Sequence, residues 1–188
     1  MTECDDAKLM LRYAAGDAMA FHELYERHKD SVYRYLLRLT GNAAGAEDVA
    51  QEVWTKIIAS RRRYRADARF TTFLYRVAYN AWIDSGRRNR YAVRHDCYDD
   101  ERMQDGAGSA AEAVDAAALR ATFLAALAAL PDEQRNAYLL HEEAGLSVAA
   151  VARVTGTVPE TAKSRIRYAV KKLKSVLLQS QYEGVTRR

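Results

Sequence analysis

The sequence predicts an all-α protein: two small helical domains joined by a flexible acidic linker, with boundaries at residues 1–94, 95–115 and 116–188. Three observations carry that reading. The 188 residues include only two prolines and nine glycines, and Ala, Leu, Arg and Glu are abundant, which favours helix. Apolar residues recur at alternating steps of three and one, the spacing of one helix face. Charge is segregated along the chain. Arg61–Arg94 holds ten arginines and no lysine against two acids, Asp67 and Asp84, whereas residues 95–118 hold seven acids against one base, Arg102. A hydrophobic share of 49% is enough to bury a core.

The first domain reads as three amphipathic helices between about residues 5 and 94. Gly16-Asp17 marks a helix start, and Phe21, Leu24, Tyr25, His28, Val32, Tyr35, Leu36 and Leu39 then repeat at helical spacing. Gly41-Asn42 breaks that helix. Ala46, Val49, Ala50, Val53, Trp54, Ile57 and Ile58 form a second stripe, and Phe70, Phe73, Leu74, Val77, Ala78, Ala81 and Trp82 a third. Three such stripes can be buried against one another. Arg61–Arg69 falls between the last two as a loop. Residues 95–115 lack periodicity, contain Asp-Gly-Ala-Gly-Ser, and read as linker.

In the second domain a helix resumes around Val114 and continues through Leu119, Phe123, Leu127 and Leu130. Pro131 starts the next, because its missing N–H costs little in a first turn. That helix carries Ala137, Leu139 and Leu140 and ends near Gly145. Ser147 is an N-cap for a short helix, Val148–Val154, which Gly156 closes. Thr157-Val-Pro-Glu160 has the spacing of a capping box. A long helix follows, with Ala162, Ile166, Ala169, Val170, Leu173, Val176 and Leu177 facing inward.

Composition narrows the function classes. Net charge is only +4, but the 61–94 block alone carries +8 and interleaves its arginines with Tyr64, Phe70, Phe73, Tyr75, Tyr79, Trp82 and Tyr91. Arginine neutralises phosphate and stacks on flat rings. Aromatic faces give unpaired bases a stacking surface worth roughly 1–3 kcal/mol per base. The block therefore suggests single-stranded nucleic acid; the alternative is a solvated charged face over an ordinary core. Cys4 and Cys97 have no CxxC spacing, so reduced thiols are expected. No basic n-region precedes an apolar run at the N-terminus, and no apolar stretch approaches the ~20 residues of a membrane span. A cytoplasmic protein without membrane insertion is expected. His22, His28, His95 and His141 show no metal-ligand spacing, and phosphate-cradling glycine loops and nucleophile motifs are absent from the sequence. Neither an enzyme, a metal nor a cofactor is expected.

Ser147–Val154, the turn Thr155-Gly-Thr157 and Val158–Leu178 fit a helix-turn-helix: a short helix, a glycine-containing turn and a longer basic helix. The second helix carries Lys163, Arg165, Arg167, Lys171, Lys172 and Lys174 against one acid, Glu160, at the end where the helix dipole favours it. Thr161, Ser164, Tyr168 and Lys171 fall at spacings of three and four, an outer stripe able to face a major groove. An ordinary helical hairpin with a solvated basic face is the alternative.

Three motifs in order resemble a bacterial RNA polymerase sigma factor of the sigma-70 family, in its extracytoplasmic-function (ECF) subfamily. Ala46-Glu-Asp-Val-Ala-Gln-Glu-Val-Trp54 is similar to region 2.2. Tyr64-Arg-Ala-Asp-Ala-Arg-Phe-Thr-Thr-Phe-Leu-Tyr-Arg-Val-Ala-Tyr-Asn-Ala-Trp-Ile-Asp84 is similar to regions 2.3–2.4. Leu130-Pro-Asp-Glu-Gln-Arg135 through Lys163-Ser-Arg-Ile166 is similar to region 4, and the resemblance spans roughly residues 7–178.

The resemblance implies three surfaces. Region 2.2 grips a coiled coil of core polymerase in the family, which here assigns Glu47, Asp48, Gln51 and Glu52, the alternative from the residues alone being a solvated acidic face; Trp54 reads as core. Regions 2.3–2.4 take up a flipped base of the −10 non-template strand, at a cost of a few kcal/mol that a pocket recovers. The matching positions are Arg65, Asp67, Arg69, Phe70, Thr71, Arg76 and Asn80, with Arg87 and Arg88 as phosphate contacts along with Arg90. Asn80 can offer donor and acceptor to a base edge. Asp67 fits either an acceptor for an exocyclic amine or a cap for the following helix. Phe73, Val77 and Trp82 read as core. Region 4 reads the −35 duplex, which assigns Thr161, Lys163, Ser164, Arg165, Arg167, Tyr168 and Lys171. Tyr168 and Val170 stand where the family usually has arginine. The linker between them is drawn nearly taut when both elements, roughly one and a half to two duplex turns apart, are engaged. An anti-sigma factor is an implied partner beside core polymerase and promoter DNA. The alternatives are an autonomous helix-turn-helix regulator of duplex operators and an RNA-binding protein using residues 61–94.

Overall fold

The computed structural model describes residues 3–89 and 110–186, and the side chains of residues 5–87 and 116–179. The Arg88 side chain, Arg90, Tyr91, Cys97 and most of the expected acidic linker lie outside the described residues. All regular elements among the described residues are helical.

The first domain has four helices where the sequence reading had three. The additional one, α1 (Glu3–Ala14), buries Asp6, Leu9, Met10 and Tyr13 at helical spacing. Its stripe opens on a carboxylate, so an apolar periodicity does not reveal it. The buried Asp6 accepts hydrogen bonds from Arg27 Nη1 at 2.8 Å and pairs with His28 Nε2 at 2.8 Å, which offsets the cost of removing it from water.

Asp17 caps α2 (Ala18–Thr40), accepting from the Met19 and Ala20 N–H groups at 3.0 and 3.3 Å. Arg12 bonds the other carboxylate oxygen at 2.6 Å and, together with the backbone donors, holds the Asp17 carboxyl below its ordinary pKa. Asp17→Ala is expected to lower stability by about 1 kcal/mol, read as a fall in Tm of about 2–4 °C; an unchanged Tm would show that the cap is idle.

Gly41 ends α2 in the left-handed region at φ 77°, its N–H bonded to Leu37 O at 2.9 Å. Asn42 then caps α3 (Ala43–Ser60) through the Gly45 N–H at 2.7 Å. A 3₁₀ turn, Arg61–Arg63, leads through residues 64–69 to α4 (Phe70–Asn89). The core has Leu24, Tyr35, Leu36, Ile57, Phe70 and Leu74 fully buried.

In the second domain α5 (Ala110–Ala128) begins earlier than expected. Residues 110–115, assigned to the linker by sequence, are helical; their Ala-Ala-Glu-Ala-Val-Asp composition is strongly helix-forming. Pro131 is the N-cap of α6 (Asp132–Tyr138), one residue ahead of the first turn. Arg135 fixes this corner, donating to Ala128 O at 3.1 Å and to Asp132 Oδ1 at 2.5 Å. A π turn, Leu139–Glu143, follows, closed by Ala144 N–H to Leu139 O at 3.1 Å.

Ser147 caps α7 (Val148–Thr155), and Gly156 ends it at φ 66°. The expected capping box is replaced: the Thr157 hydroxyl meets Thr155 Oγ1 at 3.0 Å, and Pro159 opens α8 (Pro159–Thr186). α8 packs against α5, α6 and α7. The two domains are also in contact, α7 against α4, and α6 with the π turn against α2, and their apolar cores join in one cluster.

Candidate nucleic-acid interface

The arginine–aromatic block divides by burial. Its aromatics turn inward: Tyr64, Phe70 and Tyr75 are buried, and Phe73, Tyr79 and Trp82 are half-buried. Tyr64 stacks edge-on against Phe73 with centroids 5.3 Å apart, and Phe70 lies 5.5 Å from the His28 ring. Among the described residues the block therefore presents no exposed ring for a base. The sequence reading of Phe70 as a contact residue is corrected accordingly: at 0% exposure it belongs to the core. Phe73, Val77 and Trp82, read as core, lie partly buried at its margin.

The polar members face outward. Arg65, Asp67 and Arg69 are exposed in the loop before α4. Arg76, Asn80, Asp84 and Arg87 are exposed along α4 at steps of four, four and three, one helical stripe. Loop and stripe together make a polar surface that begins at the α4 N-terminus and is interrupted before Arg76 by buried Thr72 and half-buried Phe73, with Thr71 half-buried at its edge. Arg61 turns away from it, its guanidinium 5.5 Å from the Tyr13 ring. Among the described residues, the buried Tyr64 Oη and Thr72 Oγ1 have no hydrogen-bond partner. Burial, then the carboxylates of Asp6 and Asp67, raises the Tyr64 phenol above its ordinary pKa, so the hydroxyl stays protonated.

On α3, Glu47, Asp48 and Gln51 are exposed on one edge. Glu52 is half-covered and paired with Lys56 at 2.8 Å, and Lys56 also reaches Asp84 at 3.5 Å. These partners, Glu52 first, raise the Lys56 pKa. Trp54 is 9% exposed and packs with Phe21 and Tyr25, as its reading as core requires.

On α8, Lys163, Arg167, Lys171 and Lys174 are exposed at steps of four, four and three. Tyr168 is 53% exposed with the Arg167 guanidinium 5.4 Å from its ring. Three expected contacts are less available. Thr161 is half-buried, the Ser164 hydroxyl donates to Thr161 O at 2.9 Å, and Arg165 is ion-paired to Glu133 of α6. Val170 is half-buried against the core, so the residue that replaces the family's arginine there serves packing.

The sequence reading missed the residues at the domain contact, Tyr35, Arg38, Asn136 and Glu143. Tyr35 sits in an apolar stripe and the others are ordinary polar positions, so no local pattern marks them. No group of three or more metal-binding side chains occurs among the described residues, and no helix there is long and apolar enough to cross a membrane.

A four-helix domain with a polar loop-and-helix surface, joined to a helix-turn-helix with a basic second helix, defines a two-module DNA-binding class of protein. The Sigma-70 region 2 family matches residues 24–91, and the Sigma-70, region 4 family matches residues 120–173. The chain is 32% identical over 174 residues to RNA polymerase sigma factor CarQ of Myxococcus xanthus, covering 93% of this chain and 98% of that protein. It is 35% identical over 175 residues to ECF RNA polymerase sigma factor SigL of Mycobacterium tuberculosis, covering 93% and 96%. Among solved structures, CnrH in complex with the cytosolic domain of CnrY shares the fold at a TM-score of 0.67 and 22% identity, covering 92% of this chain and 97% of that one. The sigma factor RpoE in complex with the anti-sigma factor NepR from Bartonella quintana shares it at 0.69 and 21%, covering 84% and 96%. The chain belongs to the ECF group of the sigma-70 family of RNA polymerase sigma factors. It is a transcription initiation factor rather than an enzyme, and its partners are core RNA polymerase and promoter DNA.

Proposed function

We propose that this sigma factor directs core polymerase to a two-part promoter, with α8 reading the −35 duplex and the Arg65–Arg69 loop and α4 stripe engaging the melted −10 strand. The reading rests above all on one observation: the polar residues of the Arg65–Arg69 loop and the α4 stripe Arg76, Asn80, Asp84 and Arg87 are exposed while the aromatic rings between them are buried or half-buried. The buried rings make that surface rigid, while Asn80 and the arginines supply base-edge and phosphate contacts. Single-strand selectivity then comes from the loop and from hydrogen bonding, not from a row of exposed stacking rings.

The exposed edge Glu47, Asp48 and Gln51, with Glu52, is the polymerase contact in this reading, acidic against a basic partner. The protein acts in the cytoplasm and is held inactive by an anti-sigma factor; the NepR complex of the structurally similar RpoE supports that partner class. Pull-down with core polymerase separates this function from an autonomous operator-binding regulator, which needs no polymerase. Retention of the wild type and a clear loss for Glu52→Lys are expected; no retention of the wild type would remove the proposal.

On the −35 side, Arg167 and Tyr168 form one exposed unit. Arg167→Ala is expected to weaken binding to a −35 duplex by about 1–3 kcal/mol, roughly 5- to 150-fold. Footprinting of holoenzyme over the −35 element checks this, and an unchanged footprint would take Arg167 off the contact surface.

A further inference from the structure

Arg61, Arg62 and Arg63 belong to the arginine block but have no part in the function proposed above. They form the 3₁₀ turn between α3 and the loop before α4. A 3₁₀ helix has three residues per turn, so three consecutive side chains leave it about 120° apart. One of them turns inward: the Arg61 guanidinium lies 5.5 Å from the centroid of the Tyr13 ring on α1. Arg62 and Arg63 are exposed.

The turn is held at both ends. The Ser60 hydroxyl donates to Ile57 O at 2.8 Å. Tyr64 is buried against Phe70 and Phe73 in the first turn of α4, with ring centroids 6.2 and 5.3 Å away. The 3₁₀ turn also packs on α1 and α3. Arg62 and Arg63 therefore stand on fixed backbone, and only their side chains lose freedom when they bind.

Their charge is not balanced locally. Residues 61–69 hold five arginines and one acid, Asp67. Asp6, close enough to act on the Tyr64 phenol, is already taken by Arg27 and His28. Among the described residues no ion pair joins Arg62 or Arg63 to an acid. Neighbouring like charges repel, and two exposed side chains return no packing for it. The run suits a polyanion better than it suits the fold.

Its place in the fold decides between polyanions. The α3 edge assigned to polymerase is acidic, and a basic partner there would repel Arg62 and Arg63 at the end of the same helix. DNA phosphate is the complementary surface. The chain leaves α4 at its C-terminal end for the second domain, so that end, with Arg87, faces the −35 side. The 3₁₀ turn lies beside the first turn of α4, about 25 Å along the helix from Arg87. It therefore extends the −10 surface on the side away from the −35 element.

We propose that Arg62 and Arg63 hold phosphates of the melted non-template strand just beyond the −10 element, whatever the base sequence there. This contact rests on the promoter reading above. It adds affinity and position but no sequence information, as backbone contacts do.

Salt dependence tests it. A promoter fragment that supports sigma-dependent transcription is rebuilt as a fork, duplex through the −35 element, with the −10 non-template strand continued beyond that element as a single strand. A second fork stops at the last −10 base. Affinity of the holoenzyme for each is read by fluorescence anisotropy over a range of salt. Arg62→Gln with Arg63→Gln is expected to reduce the slope of log K against log salt by about 1.4 on the long fork, two phosphates at roughly 0.7 each. The short fork should show no change. Randomising the bases of the extension should leave the loss as it is, and Arg62→Lys with Arg63→Lys should keep most of the slope, because a point charge still binds phosphate. Both residues are exposed, so helical circular dichroism and Tm should stay near those of the wild type. An unchanged slope on the long fork, an equal fall on the short one, or a loss that depends on the extension's sequence would each overturn the contact. A fall in affinity for core polymerase would also overturn it, by giving the arginines to a protein surface. Failure of every fragment to support transcription would remove the promoter reading and this contact with it, whereas transcription with an unchanged slope would remove the contact alone.

Discussion

Phe70→Ala is expected to cost about 3–5 kcal/mol of folding stability, the range for deleting a buried aromatic side chain. Phe70 opens α4 at 0% exposure, with His28, Tyr64 and Phe73 around its ring. Removing it empties the junction of α2, the 64–69 loop and α4, because close-packed interiors relax only partly around a void. Against a total stability of order 5–15 kcal/mol, that is a large fraction. Equilibrium urea denaturation measures it as a fall in midpoint with little change in slope. The outcome also decides the residue's role. A ring that stacks on DNA would leave stability unchanged while promoter opening failed; a core ring lowers both.

Asn80→Ala should do the reverse. Asn80 is exposed on the middle of the α4 stripe, so stability should move by no more than about 0.5 kcal/mol. Its amide can donate and accept at one base edge, and losing such a contact costs about 1–3 kcal/mol, roughly 5- to 150-fold in promoter opening. Permanganate reactivity of unpaired thymines in the −10 region reads opening directly. Affinity for core polymerase, measured in parallel, should stay near that of the wild type. An equal loss of both would place Asn80 in the polymerase contact or in the fold, and not at a base.

The helical stripes of α2, α3 and α4 could be read from sequence because their buried positions are apolar and regularly spaced. Asp17 and Ser147 announce helix starts by their own chemistry, whereas Asn42, legible only as part of a helix break, also caps α3. α1 was hidden because Asp6 occupies a core position, and only the tertiary partners Arg27 and His28 make that position tolerable. The start of α5 was hidden by acids scattered among alanines. At the candidate site, composition grouped arginines and aromatics that the helix then separates, rings inward and cations outward. Spacing placed Arg76 and Asn80 on a common face and Phe70 in the apolar stripe; the family motif alone made Phe70 a contact, and its burial follows the stripe. Arg165 and Glu52 belong to motifs that name them as contacts, yet each has an ion-pair partner: Lys56 stands four residues after Glu52 on the same helix, a spacing visible in the sequence, whereas Glu133 lies on another helix, where no local pattern pairs it with Arg165. The domain contact was out of reach for the same reason. A hydrogen bond across 101 residues leaves no trace in a local window.

Transcription in vitro with purified core polymerase and this protein, on templates selected from the genome of its source, tests the central claim most directly. A discrete transcript that requires the sigma factor, starts at one position, and is lost when either the −35 or the −10 element is scrambled is the predicted result. Sigma-dependent binding of the same fragments with no promoter-specific transcript from any of them would contradict it.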